Sequence, residues 1–219
     1  MSDRHRLEQL LQNPQIWKAG RGGPQRSFLP TGHARLDDAL AGGWPLGQLI
    51  ELLVEPYGIG ELQLLMPVLS ALTRSQSADP QSTAASRWSM LVAPPYIPYA
   101  PALSDRGLDL ARLLIVRCHR DVDVLWAVEQ AAHSNTCAAV LAWSDGADEH
   151  ALRRLQLAVE ASGSCLLVLF RPLRFQQRRS PAALRIRLQP GARGATDLHV
   201  LKNRGGRPLT VSVHPGDAE

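Results

Sequence analysis

Apolar residues along this chain fall into short unbroken runs, separated by amphipathic stretches. Gln48–Val54 (QLIELLV), Trp88–Ala93 (WSMLVA), Leu113–Arg117 (LLIVR), Cys137–Trp143 (CAAVLAW) and Ser164–Phe170 (SCLLVLF) each predict a strand. Runs of this length without alternation fit strands covered on both faces. Helical spacing fills the gaps. Glu61–Arg74 carries Leu62, Leu65, Met66, Leu69 and Leu72 on one face, and Asp121–His133 and Glu149–Ala161 predict two more helices. Shorter helical turns are expected at Leu36–Leu40, ended by Gly42-Gly43, and at Pro98–Arg106. Strands alternating with helices of this length predict an α/β fold with a mainly parallel, twisted sheet flanked by helices. After Phe170 the period changes to two. Ala183–Leu188 (ALRIRL), Leu198–Leu201 (LHVL) and Leu209–Val213 (LTVSV) read as antiparallel edge strands.

The ends differ from this core. Residues 2–12 predict a short helix with Leu7, Leu10 and Leu11 on one side, stopped at Asn13-Pro14. Trp17 follows, then a glycine-rich linker from Gly20 to Arg26. The expected organisation is an N-terminal helix and linker over 1–27, one domain over 28–213, and a tail over 214–219. Leu7, Leu10, Leu11 and Trp17 are candidates for docking on a neighbouring surface or on the chain's own domain.

The chain has 219 residues and 45% hydrophobic content. It has neither an apolar run of the ~18 residues a membrane span needs nor a basic-then-apolar leader, so a cytoplasmic protein with no membrane partner is expected. Three widely spaced cysteines, Cys118, Cys137 and Cys165, read as reduced thiols rather than a metal site. The seven histidines show no metal spacing and no nucleophile elbow occurs, so neither a metal centre nor a hydrolase is expected.

Charge changes the picture more than composition does. The net charge is +4, yet Arg171 to Arg207 holds ten basic residues against one acid, Asp197. Such a basic segment suits a nucleic acid or an acidic protein surface, or simply a solvated face. Arg171, Arg174, Phe175, Arg178, Arg179, Lys202, Arg204 and Arg207 are the candidate contacts. Phe175 among arginines is of the type that stacks on a base while guanidinium groups track phosphate. A second candidate surface is the proline-rich stretch Ala93–Pro101, which displays Tyr96, Ile97 and Tyr99. Proline lowers the entropy of ordering a loop, and exposed tyrosines anchor interfaces.

Strand, glycine loop and helix at residues 48–74 form the layout that binds phosphate in α/β proteins. The P-loop pattern is G-x-x-x-x-G-K-[ST]. Here the eight positions are Glu55, Pro56, Tyr57, Gly58, Ile59, Gly60, Glu61 and Leu62. Glutamate replaces the first glycine and the lysine, and leucine replaces the magnesium-binding hydroxyl. Glu61 facing a phosphate at ~4 Å costs on the order of 4 kcal/mol at an effective dielectric of 20. The expectation is a degenerate P-loop with no cofactor and no enzymatic hydrolysis.

The residues ahead of this loop resemble the start of the ATPase core of RecA recombinases. They are Pro30-Thr31-Gly32, Leu36-Asp37, and Gly42-Gly43-Trp44-Pro45-Leu46-Gly47 followed by the strand. Gly107-Leu108-Asp109 and Leu201-Lys202-Asn203-Arg204 continue the resemblance in order over roughly 28–213. The resemblance implies a RecA-like core. It also exposes departures. Pro94-Pro95 stand where RecA has its catalytic glutamate, and Trp143 stands near its Walker B aspartate, with Asp145 two residues later.

Two nucleotide-dead families of the RecA-like superfamily fit. Gly58–Leu65, Ala93–Pro101, Leu152–Ala158 and Lys202–Pro208 are similar to ImuA, the translesion-synthesis accessory family. SulA, the division inhibitor that binds FtsZ, resembles only the middle of the chain. Membership of the ImuA family implies a non-catalytic adaptor of the SOS-induced mutasome. It implies ImuB as partner, an error-prone replicative-type DNA polymerase indirectly, and RecA and single-stranded DNA as further candidates. A SulA-like inhibitor is the alternative.

Overall fold

The computed structural model describes residues 27–77, 87–204 and 206–214. The expected N-terminal helix with Leu7, Leu10, Leu11 and Trp17, its linker as far as Arg26, and the tail beyond His214 lie outside the described residues. In chain order the elements are β1 (Phe28–Leu29), α1 (Ala34–Leu40), β2 (Trp44–Pro45), β3 (Gln48–Leu53), α2 (Met66–Ser77), β4 (Trp88–Val92), α3 (Ala100–Asp105), β5 (Leu113–Val116), α4 (Asp121–Ser134), β6 (Cys137–Trp143), α5 (Glu149–Ser162), β7 (Leu166–Arg171), β8 (Leu184–Pro190), β9 (Thr196–Asn203) and β10 (Leu209–Val213).

One eight-stranded mixed sheet organises the domain, in the order β10-β9-β8-β3-β7-β6-β4-β5. The strands from β8 to β5 pair in parallel, and β9 and β10 are antiparallel. Successive side chains of a strand face opposite sides, so β3, β4, β6 and β7 each feed two cores. Ile50 and Leu52 of β3 join Leu36, Leu40, Leu65 and Leu69 on the face that carries α1 and α2. Leu49 of β3 joins Val124, Val128, Leu152 and Val159 on the face that carries α4 and α5. The result is helix–sheet–helix layering, with the glycine-loop strand inside the sheet.

Local chemistry sets the element ends. Asp148 caps α5 by accepting the Ala151 N–H at 2.7 Å, and Gly163 ends it in the left-handed conformation. Asp37 accepts the Thr31 N–H at 2.7 Å and so ties the Pro30-Thr31-Gly32 corner to α1. At Gly43 a Cβ would lie 2.1 Å from the Leu29 carbonyl oxygen, at φ +107°. Only glycine lets β1 and β2 close there.

Three expectations are corrected. First, Ala183–Leu188 does not form an antiparallel edge strand. β8 lies inside the sheet, parallel to β3 and antiparallel only to β9. Its alternation arises because Leu184, Ile186 and Leu188 enter one core while Arg185 reaches a buried acid on the other face. Second, Leu113–Val116 is not covered on both faces. β5 is the outermost strand, with Leu114 44% and Ile115 39% exposed. Third, the helix expected from Glu61 begins later. Gln63–Leu65 is a short 3-10 turn, and the α-helix starts at Met66.

Candidate functional site

The carboxyl ends of the parallel strands bring four loops together, the usual ligand position in open α/β sheets. Residues 54–62 follow β3, 93–99 follow β4, 144–148 follow β6 and 172–183 follow β7. The Tyr57 hydroxyl donates to Asp145 Oδ1 at 3.2 Å, and Arg174 Nη2 lies 3.7 Å from Asp145 Oδ2. The Tyr96 hydroxyl donates to the Tyr57 carbonyl at 3.4 Å. Burial and the Asp145 carboxylate push the Tyr57 phenol well above its ordinary pKa. It therefore stays protonated and acts as a donor. Asp145, two residues past Trp143, is engaged by side chains of the protein itself.

The glycine loop is closed from within. The Glu61 carboxylate is buried and accepts the Gly58 N–H at 2.8 and 3.0 Å. In a phosphate-binding loop such an N–H points at the ligand's oxygen. Here a glutamate of the same loop supplies the anion. Gly58 and Gly60 keep positive φ values of 94° and 104°. Leu62 packs against the core and Glu55 is exposed, so neither offers a cation or a metal-binding hydroxyl. The cavity beside Ile59 and Gly60 holds about 100 Å³. Ligand pockets start at roughly 300 Å³.

Behind the loops lies an ion cluster that sequence reasoning missed. Glu51, in the middle of β3, is fully buried. Arg171 Nη1 donates to its Oε1 at 2.7 Å, and Arg185 Nε lies 2.7 Å from its Oε2 without hydrogen-bond alignment. Arg171 also donates to the Ala147 carbonyl. Arg185 donates to the carbonyls of Phe175 at 3.0 Å, Gln176 at 3.3 Å and Arg178 at 3.1 Å. Lys202, opposite Arg185 on β9, donates to the Ser180 carbonyl at 2.9 Å. Burial, with Arg204 and Arg185 nearby, lowers the Lys202 pKa. A lone glutamate inside QLIELL was the available signal. A charge in a doubly covered strand must be paired.

These contacts correct the reading of the basic segment. Arg171 is only 1% exposed and is not a surface contact for a partner. Phe175 is half-buried, with the Arg171 and Arg174 guanidinium carbons 4.0 and 5.0 Å from its ring centroid, so its π-face is occupied from within. Lys202 serves the loop carbonyl. Arg174, Arg178, Arg179, Arg204 and Arg207 are exposed, but not together. Arg204 donates to Gln48 Oε1 at 3.2 Å, at the amino end of β3, away from the loop after β7.

The side chains that do converge are Arg178 and Arg179. With the turn Gly146–Glu149, Arg171 and Phe175 they line a cleft of about 560 Å³. Arg153, Arg179, Arg185 and Lys202 line a second cavity of about 420 Å³, with Glu149 as its one acid. Arg153, which with Arg154 reads from the sequence as a solvated helix face with partner contact as the alternative, lines this second cavity. Tyr96, Ile97 and Tyr99 are 64%, 76% and 71% exposed on the proline-rich loop, beside this region through the Tyr96–Tyr57 contact.

The fold and site together define an α/β protein with a mainly parallel mixed sheet, an internally capped glycine loop and a cleft at the strand ends where Arg178 and Arg179 stand with Asp148 and Glu149. No family model and no curated protein matches this chain. Among the described residues, no group of three or more His, Cys, Asp or Glu side chains is placed to hold a metal ion. Among them also, no helix is long and apolar enough to cross a membrane.

Proposed function

We propose that this protein is a non-catalytic, RecA-like adaptor of damage-induced translesion synthesis, of the ImuA kind, which binds ImuB and through it serves an error-prone DNA polymerase. The observation that carries the reading is the Glu61 carboxylate on the Gly58 amide. A loop whose anion comes from its own chain keeps the shape of a nucleotide site without the need for a nucleotide. The open sheet, with the glycine-loop strand inside it and antiparallel strands after Phe170, supports a RecA-like core. The cleft at Arg178 and Arg179 and the exposed Tyr96, Ile97 and Tyr99 supply surfaces for macromolecular partners, RecA and single-stranded DNA among them.

The test is genetic and biochemical. Loss of the chain abolishes damage-induced mutation in cells that retain ImuB, and its expression restores it. Filamentous cells on overexpression without ImuB would instead assign the chain to FtsZ inhibition.

A further inference from the structure

Helices α4 and α5 lie side by side on one face of the sheet, and their inner residues, Val124, Val128, Leu152 and Val159, are buried. Outside that seam an apolar surface stays open among the described residues. Val122 and Trp126, one turn apart on α4, are each 61% exposed. With Leu125 they line a groove of about 430 Å³ between the two helices. A residue pair at i, i+4 forms one ridge, and a solvated ridge carries polar residues in a helix with no partner.

The charges around this groove are unbalanced. Asp121 and Asp148 line it. Asp121 is held in place by the Ser144 hydroxyl at 2.7 Å and the Asp145 N–H at 3.0 Å, and Asp148 by the Ala151 N–H at 2.7 Å. Neither carboxylate has an arginine or lysine ion pair among the described residues. The guanidinium in the groove, Arg154, is matched by Glu129, with Nε 3.3 Å from Oε1. The groove therefore carries two carboxylates without an ion pair, each at a helix N-terminus and beside His150, on a chain whose net charge is +4. Overall charge repels a basic partner, so attraction at this place is local.

We infer that the α4–α5 groove is a docking site for an amphipathic helix of another protein, with apolar anchors on Val122, Leu125 and Trp126 and lysine or arginine facing Asp121 and Asp148. The groove lies between two helices and has no free strand edge, so a helix-in-groove mode fits and strand addition does not. A tryptophan in a partly enclosed pocket with a charged rim has the anatomy of an interface anchor. Asp148 belongs to the turn that the groove shares with the cleft at Arg178 and Arg179, but Asp121, Val122, Leu125 and Trp126 belong neither to that cleft nor to the glycine loop, so the inference stands apart from the proposed function.

The test uses the full chain and two synthetic peptides of about 18 residues, long enough to form helix. Both carry the same leucine face. One has lysine and the other glutamate at the flanking positions. Binding is read by fluorescence anisotropy at physiological salt. The lysine peptide binds the wild-type chain at least about tenfold more tightly than the glutamate peptide. Trp126→Ser weakens it by about tenfold or more, and Asp148→Asn and added salt weaken it further. Tyr99→Ser, on the other exposed surface, leaves it unchanged. Val122→Lys, at a solvated position, serves as a second variant and also weakens binding. Equal binding of both peptides, or wild-type affinity in Trp126→Ser and Val122→Lys, overturns the inference.

Discussion

At the scale of single residues, Glu61 has the clearest consequence. Its buried carboxylate holds the Gly58 amide, and a hydrogen bond to a charged group contributes about 1.5–3 kcal/mol. Glu61→Ala is expected to lower unfolding stability by about 2 kcal/mol in urea titrations and to gain no binding of Mg-ATP in calorimetry. Leu62 still offers the metal no oxygen. The thiols give a second expectation. Burial pushes Cys165 up to about 12, and Cys137 above its ordinary value; Cys118 is also raised, by partial burial and by Asp123. Raised values keep the proton on sulfur, and the thiolate is the reactive form. At pH 8 the folded chain should react slowly with a thiol reagent, Cys118 first, and unfolding in guanidinium should release all three cysteines. Fast native labelling of Cys165 would contradict that burial.

At the scale of elements, the loop after β7 is held by charges buried beneath it. Glu51 lies on β3 and Arg171 on β7, while Arg185 on β8 binds three carbonyls of the loop. Breaking a buried pair by removing one partner costs about 3–5 kcal/mol, because the other charge stays buried. Glu51→Gln or Arg171→Met should therefore destabilise by about that amount. Replacing Glu51, Arg171 and Arg185 together by apolar residues should cost less than the single changes sum to. Chemical denaturation of the wild type, the single variants at Glu51, Arg171 and Arg185, and the triple variant checks this. Additive losses would show that the three side chains act separately.

The same cluster explains what was legible in the sequence. The runs of β3, β6 and β7 announce buried parallel strands because both of their faces meet helices. The alternation of β8 suggested solvent on one side, but Arg185 meets Glu51 rather than water, while Arg187 and Gln189 are half-buried. Periodicity reports polarity, not exposure. The LLIV run of β5 suggested cover on both faces, yet strand order placed it outermost, and strand order is a non-local property. In the site, the glycine loop and its missing cation were readable from spacing alone. The Glu61–Gly58 bond and the Arg171–Glu51 pair were not, since each depends on where a side chain turns or on contacts more than a hundred residues apart.

At the scale of the whole molecule, the surface divides around the loop Gly146–Asp148. On one side lies the cleft with Arg178 and Arg179, and on the other the acidic, apolar groove with Trp126. The adaptor role we propose calls for separate surfaces of this kind. Neither surface needs ATP to form, because the Gly58 N–H of the glycine loop is already held by Glu61. Partner binding should therefore be indifferent to nucleotide. The most direct measurement is capture of purified ImuB and, in parallel, FtsZ by this protein at physiological salt, with and without Mg-ATP. Capture of ImuB alone, to the same extent in both conditions, is the expected result. Capture of FtsZ alone, or capture of ImuB only when Mg-ATP is present, would contradict it.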